Sequence, residues 1–429
     1  ILSTSNETST GTELVQNGNF SELGSDLVTN GDFSAAGINL VSNPNFTDTG
    51  SELVTDGDFS SSANWYEGTG CTISGNQGVF TSAPSGSGFT GDNLNAAICV
   101  IGKSYKVTYT IDSITSGSVG LRHPFTGTYY DNTSSFPLDV TEYVVADNTS
   151  IYIQNSGTTT ATISNVSVKE LGEDWTVTED TGSVTFANDQ VQIISDGSAA
   201  TGIIQGSILS IEKSYKVTID VASNTNKFKI ILGGGSIEVT GTGVQTFYGV
   251  GAGTALYIYR VVGEAVDVVI NSISVQELGE GWTAYTSGTS TVEYNSSGAN
   301  LLIDSAANGG SNVGVYQENI FELGKSYKIV LSMKATASFD AEVVESNLAA
   351  TENVIGTVSL TTSFQDFTFY YVGTGTFDLF IHRLYNGGGA SQTISIQSVS
   401  VQELDPNGYW TLGTGWSIGA DKAISTVTG

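Results

Sequence analysis

A hexapeptide returns three times in this 429-residue chain. Gly102-Lys103-Ser104-Tyr105-Lys106-Val107 recurs as Glu212-Lys213-Ser214-Tyr215-Lys216-Val217 and as Gly324-Lys325-Ser326-Tyr327-Lys328-Ile329, at separations of 110 and 112 residues. A second shared stretch follows each copy: Val166-Ser167-Val168-Lys169-Glu170-Leu171, then Ile273–Leu278, then Val399–Leu404. A tryptophan precedes each copy, Trp65, Trp175 and Trp282, by 40, 40 and 45 residues from the repeated tyrosine, and Trp410 opens a further round. Three landmarks in a fixed order mark tandem homologous modules, each burying its own core. The boundaries that follow are 52–171, 172–279 and 280–404, with a fourth module starting over 405–429 and a separate segment, 1–51, ahead of them.

After the lysine the pattern alternates. Tyr105, Val107, Tyr109 and Ile111 share one face, with Lys106, Thr108 and Thr110 on the other; Tyr215, Val217, Ile219, Val221 and Tyr327, Ile329, Leu331, Met333 repeat it. A period of two in β-branched and aromatic residues predicts half-buried strands. Turn residues punctuate the modules throughout, and no helical period of useful length intervenes. The fold expected is all-β: tandem β-sandwich (jelly-roll) modules preceded by short β repeats of 13 residues. The lysines are expected on solvated strand faces, where they discourage edge pairing. Only Gly172-Glu173-Asp174 and Gly279-Glu280-Gly281 separate consecutive modules. Linkers so short predict neighbours that touch and a semi-rigid rod.

The leading segment has its own period. Leu14-Val15-Gln16-Asn17-Gly18-Asn19-Phe20-Ser21 returns as Leu27–Ser34, Leu40–Thr47 and Leu53–Ser60, always 13 residues apart. Its Asn-Gly and Asp-Gly pairs predict tight turns. So short a unit cannot bury a core alone. The copies are therefore expected to pack on each other or on other chains, most simply as a homotrimeric stalk; the alternative is a leader without order of its own. The fourth copy runs into Trp65 and reads as the opening strand of the first module.

Composition narrows the function. Asp and Glu number 43 against 14 Lys and Arg, a formal charge of −29. That excludes nucleic-acid binding through phosphate neutralisation and argues against docking on anionic membranes. No apolar run reaches the ~18 residues of a membrane span, so no membrane insertion is expected. Two histidines and two cysteines leave no zinc finger and no redox dithiol. Cys99 aligns with Leu209 and Phe321 at a core position and reads as a buried free thiol, a bond to Cys71 being the alternative. His123 and His382 belong to different modules. No Gly-x-Ser-x-Gly elbow or Walker loop is present, and the glycine runs at 233–235 and 387–389 precede no helix, so no catalysis is expected. The chain begins without Met and stops inside a fresh module, which suggests a piece of a longer polypeptide.

The stretch Glu52–Ser60 followed by Trp65 resembles the opening strand of carbohydrate-binding modules with a galactose-binding-like jelly roll. Ile163-Ser164-Asn165-Val166-Ser167-Val168 resembles their closing strand. With the Gly-Lys-Ser-Tyr-Lys-Val strand, the set is similar to modules of virion fibre and tail proteins of marine bacteriophages, over about 52–404. The resemblance implies a non-enzymatic virion structural protein, a fibre or surface appendage. Such a protein would be virion-borne or extracellular and would meet other virion proteins and host-surface glycans. A secreted bacterial adhesin or polysaccharide-binding protein built from the same modules is the alternative.

One strand per module could present a sugar. Ile151-Tyr152-Ile153-Gln154-Asn155, Leu256-Tyr257-Ile258-Tyr259-Arg260 and Leu379-Phe380-Ile381-His382-Arg383 align. Their aliphatic residues share one face. Tyr152 and Gln154, Tyr257 and Tyr259, and Phe380 and His382 share the other. Aromatic rings stack on sugar C–H surfaces, and Gln, His, Arg260 and Arg383 offer hydroxyl partners. The opposing reading is that this face packs under a second sheet or another chain. The Asp56/Asp58 turn offers oxygens for a structural calcium, without the dense acidic spacing of a dedicated loop; otherwise no cofactor is expected.

Overall fold

The computed structural model describes residues 15–91, 97–122, 128–286, 288–304, 313–348, 352–384 and 391–425. The described residues form strands, turns and bends, with no helix. The chain divides into two compact bodies. One comprises residues 1–38, 212–216 and 276–429, the other 39–211 and 217–275.

The body beginning at residue 39 holds the modules opened by Trp65 and Trp175. In the first, strands Ser104–Arg122 and Ile151–Leu171 run 19 and 21 residues and serve both layers of a sandwich. One layer orders Leu138–Val145, the start of Ser104–Arg122, the end of Ile151–Leu171, Gln77–Ala83 and Cys71–Ser74. The other orders Tyr129–Asp131, the end of Ser104–Arg122, the start of Ile151–Leu171, Gly88–Gly91 and Trp65–Glu67. Alternation does what the sequence implies: Tyr105, Val107, Tyr109 and Ile111 are at most 1% exposed and join residues of both layers in one core. In the second module the matching layer is a separate sheet, Thr176–Glu179, Thr201–Gln205, Leu256–Arg260, Phe228–Leu232 and Gly235–Val239 in that order.

The other body holds the third module as two sheets. One orders Thr291–Asn295, Gly298–Ile303, Gln392–Leu404, Ser326–Ala335 and Gln365–Val372; the other Thr283–Tyr285, Gly314–Phe321, Phe377–Arg383, Phe339–Ser346 and Glu352–Leu360. A single buried cluster fills the space between them.

The repeated hexapeptide has a distinct job at each position. Its tyrosine buries the ring and holds a loop amide with the hydroxyl: Tyr105 accepts from Val100 N at 2.7 Å, and Tyr327 from Glu322 N at 2.8 Å. Its first lysine meets the glutamate of the closing stretch, Lys103–Glu170 at 2.5 Å, Lys213–Glu277 at 2.8 Å and Lys325–Glu403 at 3.1 Å. These pairs are partly exposed and contribute about 0.2–1 kcal/mol each, fixing register more than stability. Its serine joins the next repeat unit. Ser104, Ser214 and Ser326 accept the backbone N–H of Phe186, Tyr294 and Ile418 at 3.0, 2.9 and 3.4 Å.

The 13-residue copies do not pack on each other. Each lies on a module of its own chain, and the order is reversed. Leu53–Ser60 lies on the first module, Leu40–Thr47 on the second and Leu27–Ser34 on the third, while Asn17 and Phe20 meet Trp410. The seating is the same each time. Leu53, Leu40 and Leu27 donate their N–H to Val168, Val275 and Val401 oxygens at 3.0, 2.8 and 2.8 Å. Gly57, Pro44 and Gly31 oxygens accept from Val166, Ile273 and Val399 N at 2.8, 2.9 and 2.7 Å. The Asn or Asp of every copy has φ between +48° and +59°, and so has every Phe, between +52° and +57°. This sparsely populated conformation for a bulky residue turns the Phe ring inward. Phe59, Phe46 and Phe33 are each 1% exposed, against Trp65, Trp175 and Trp282 at 4.7, 5.7 and 4.9 Å. The expectation of copies packing together is thereby corrected: their buried partner is the module tryptophan in the same chain.

Candidate functional site

In the first module, Ile151 and Ile153 point into the core and are 9% and 1% exposed. Tyr152 and Gln154 therefore face outward. Pairing sets Tyr152 between Thr90 and Arg122, with Tyr66 beyond Thr90. Gln154 lies between Gly88 and Gly120. A Cβ on Gly88 would stand 2.1 Å from the Ile153 carbonyl oxygen, so this row carries no side chain between its taller neighbours. The result is a groove of about 280 Å³, lined by Tyr66, Gly88, Thr90, Arg122, Tyr152 and Gln154 among others. Tyr66 is 49% exposed. The Arg122 guanidinium lies 5.8 Å from the Tyr152 ring centre, within cation–π range. Gln154 donates from Nε2 to the Gly86 carbonyl at 2.6 Å, which fixes its amide in the groove. No lining residue is acidic. In a chain of charge −29 that is a local reversal. The groove offers two aromatic surfaces, a flat floor and a planar cation, a set suited to a ring with equatorial C–H faces and peripheral oxygens.

The aligned faces of the other modules are arranged differently. Tyr257 and Tyr259 face outward but pack on each other at 5.5 Å, and Tyr259 hydroxyl contacts Thr178 Oγ1 at 3.0 Å. Arg260 is not on that face. It donates to the carbonyls of Ala199 and Ser198 and ties down their loop. In the third module Phe380, His382 and Arg383 are 3%, 5% and 8% exposed. His382 stacks on Phe380 at 4.6 Å, and the edges of Tyr285 and Tyr316 meet Phe380 at 5.4 and 6.3 Å. His382 Nδ1 lies 2.8 Å from its neighbour's carbonyl, and Nε2 is 3.2 Å from Glu352 and 3.9 Å from Glu342. The Phe380 and His382 rings therefore present no open face. The structure thus brings Tyr152 and Gln154 together with Tyr66 and Arg122, which the strand alignment does not single out. Tyr66 follows the buried Trp65, so the strand's alternation turns it outward; Arg122 is the cross-strand partner of Tyr152, visible only once the register is known.

The Asp56/Asp58 turn uses its oxygens internally. Asp56 Oδ2 accepts from Asn64 Nδ2 at 2.5 Å, and its carbonyl accepts from Trp65 Nε1 at 2.9 Å. Asp58 Oδ1 accepts from Ser60 N at 3.0 Å, and hydrogen bonds from the Ser60 side chain and backbone hold its carboxyl below the usual range. Among the described residues no group of three or more His, Cys, Asp and Glu could hold a metal ion. Cys71 and Cys99 are both free and buried. His123 and the glycines at 387–389 lie outside the described residues.

No family model matches the chain, and no curated protein does. Solved structures do. A structure described as "CBM4 structure and function" is 18% identical, covering 29% of this chain and 95% of its own, with a TM-score of 0.25. The N-terminal cellulose-binding domain of Cellulomonas fimi β-1,4-glucanase C is 15% identical over 29% of this chain and 89% of its own, at 0.25. A family 29 carbohydrate-binding module mutant complexed with mannohexaose is 18% identical over 30% and 84%, at 0.24.

Proposed function

We propose that the chain is a non-catalytic glycan-binding protein whose working site is the groove of the first module. The carrying observation is the open arrangement of Tyr66, Tyr152, Gln154 and Arg122 over a glycine floor, where the equivalent rings of the third module are buried and those of the second pack on each other. Tyr66 and Tyr152 hold the apolar faces of successive sugars. Gln154 and Arg122 take hydroxyl or acid oxygens at their edges. The second and third modules serve as spacers, which suits a fibre or surface appendage of a virion. A secreted adhesin would use the same groove. A glycan array followed by calorimetry on the full chain tests the reading. Tyr152→Ala should weaken the selected glycan at least about 10-fold, as loss of a stacking ring does. Failure to bind any glycan, or a Tyr152→Ala chain that binds unchanged, removes the groove from this role.

A further inference from the structure

The leader copies are bound like ligands, and their seats are nearly equivalent. Besides the two backbone bonds and the Phe–Trp contact described above, the tryptophan of every module donates Nε1 to the Asn or Asp carbonyl of its copy. Trp65 reaches Asp56 at 2.9 Å, Trp175 reaches Asn43 at 3.4 Å, Trp282 reaches Asn30 at 3.0 Å and Trp410 reaches Asn17 at 3.0 Å. The residue before each Leu accepts the N–H of the closing strand on its side chain: Glu52 from Val168, Asn39 from Val275 and Asp26 from Val401, at 2.9, 2.9 and 3.0 Å. In two modules a buried glutamine imitates a neighbouring strand. Gln205 accepts from Ser42 N at 3.0 Å and donates to Ser42 O at 2.6 Å; Gln317 does the same to Thr29 at 3.1 and 2.5 Å. A Cβ on Gly31 or Gly57 would stand 2.2 or 2.0 Å from a carbonyl oxygen of the receiving strand, so the first and third seats require glycine there, where the second copy carries Pro44.

Most of these contacts go to backbone or to residue types that the copies share. We propose that each module carries a receptor site for a peptide of the form Leu-Val-x-Asn/Asp-Gly/Pro-Asn/Asp-Phe-Ser/Thr, and that the first and third sites, both shaped for glycine at the fifth position, accept one another's peptides, including those of a second copy of this chain. This is strand addition, in which main-chain bonds supply affinity and one side-chain pocket, here for Phe, supplies specificity. Tethering decides which seats exchange. The Trp Nε1 bond closes 9 residues for the first module but 132 for the second and 252 for the third. Effective concentration falls roughly as the −3/2 power of tether length, so the second and third seats are refilled less strongly from their own leader.

The test uses the full chain carrying Gly31→Val, which blocks the third seat's own copy against a backbone atom. A fluorescein-labelled synthetic peptide of residues 24–37 is added and followed by anisotropy. It should bind this chain at least about 100-fold tighter than the unmodified chain, whose seat is filled. A peptide of residues 50–63, which carries Gly57 at the equivalent position, should bind there too, and the 24–37 peptide with Phe33→Ala should not. No binding of the 24–37 peptide, with the first module still protected in hydrogen exchange, overturns the receptor site; binding of 24–37 but not 50–63 overturns interchangeability. Should Gly31→Val fail to fold, the unmodified chain incubated with the labelled 24–37 peptide in mild urea must slowly take it up, competed by unlabelled peptide. Absence of uptake there also overturns the proposal.

Discussion

Replacing Phe33 by alanine asks whether a residue from the leader belongs to the core of the third module. The ring is 1% exposed and lies 4.9 Å from Trp282 and 6.0 Å from Tyr294. Truncating a buried Phe to Ala costs about 3–5 kcal/mol when the cavity stays open. The backbone bonds at Leu27 and Gly31 survive the change, which favours the lower end, about 3 kcal/mol. A domain of this size is stable by about 5–15 kcal/mol, so the module stays folded but opens more often. A cost of about 3 kcal/mol is roughly a 100-fold rise in the open population. Several modules in one chain make a single melting temperature hard to interpret, whereas hydrogen exchange reads each stretch separately. Protection over 276–404 should fall roughly 100-fold while 52–171 is unchanged, because Phe59 supplies that module. Unchanged protection over 276–404, or an equal loss in both stretches, would falsify the assignment of Phe33 to the third core.

Other consequences are checkable by simpler means. Burial alone would raise the Glu52 carboxyl, but bonds from Ser167, Val168 N, Val54 N and Leu53 N outweigh it and hold the group below its usual range. A depressed carboxylate contributes stability above its unfolded pKa, about 4.3, and loses it as pH falls through the folded value. Acid titration by hydrogen exchange should therefore loosen 49–57 in the natural chain, with Glu52→Gln flattening that part of the profile; equal profiles would count against the bond set. Burial, with Glu67 adding, pushes the Cys71 thiol up to about 11, and burial, with Glu170 adding, pushes Cys99 up to about 12. Neither should react with a thiol reagent at pH 8 until the module unfolds, and prompt labelling in the folded chain would contradict this. Arg122→Gln should weaken an acidic oligosaccharide about 10-fold relative to a neutral one of the same length; equal losses for both would show that Arg122 does not read charge.

The sandwich was legible because alternation and turn residues are local properties of the chain. Tyr105, Val107, Tyr109 and Ile111 could be assigned to one face without any knowledge of their partners. The partners themselves were not legible. Nothing local says that Lys103 meets Glu170 or that Ser104 reaches Phe186, since both depend on which strands become neighbours. The candidate site meets the same limit. Parity placed Tyr152, Tyr257 and Phe380 outward correctly, but parity says nothing about what lies beside a ring. Gly88 beside Gln154 leaves a groove, whereas Tyr285 and Tyr316 beside Phe380 close one. The leader was the largest miss, although its Val, Asn/Asp and Phe spacing was in plain view. A 13-residue period reads as a row that stacks upon itself, and only the Phe–Trp contacts reveal a row of parts for other modules.

The reversed order has a consequence for assembly. The same Trp Nε1 bond closes 9, 132, 252 and 393 residues in the four modules. Closure entropy grows by about 0.6 kcal/mol per doubling of length, so the last closure costs about 3 kcal/mol more than the first if each forms from an open chain. That handicap shrinks when the closures form in sequence. Once Leu53–Ser60 is seated, the next copy is held a short tether away, and 13 residues reach at most ~45 Å, so it searches a small volume for Trp175. A leader running in the same order as the modules would gain no such help, because its first copy would sit farthest from the module that folds beside it. Sequential closure therefore predicts that Phe59→Ala delays protection of 40–47 in pulsed hydrogen exchange during refolding, while Phe33→Ala leaves the timing of 53–60 unchanged. Simultaneous gain of protection in both stretches, with no such asymmetry between the two variants, would show that the leader copies find their seats independently.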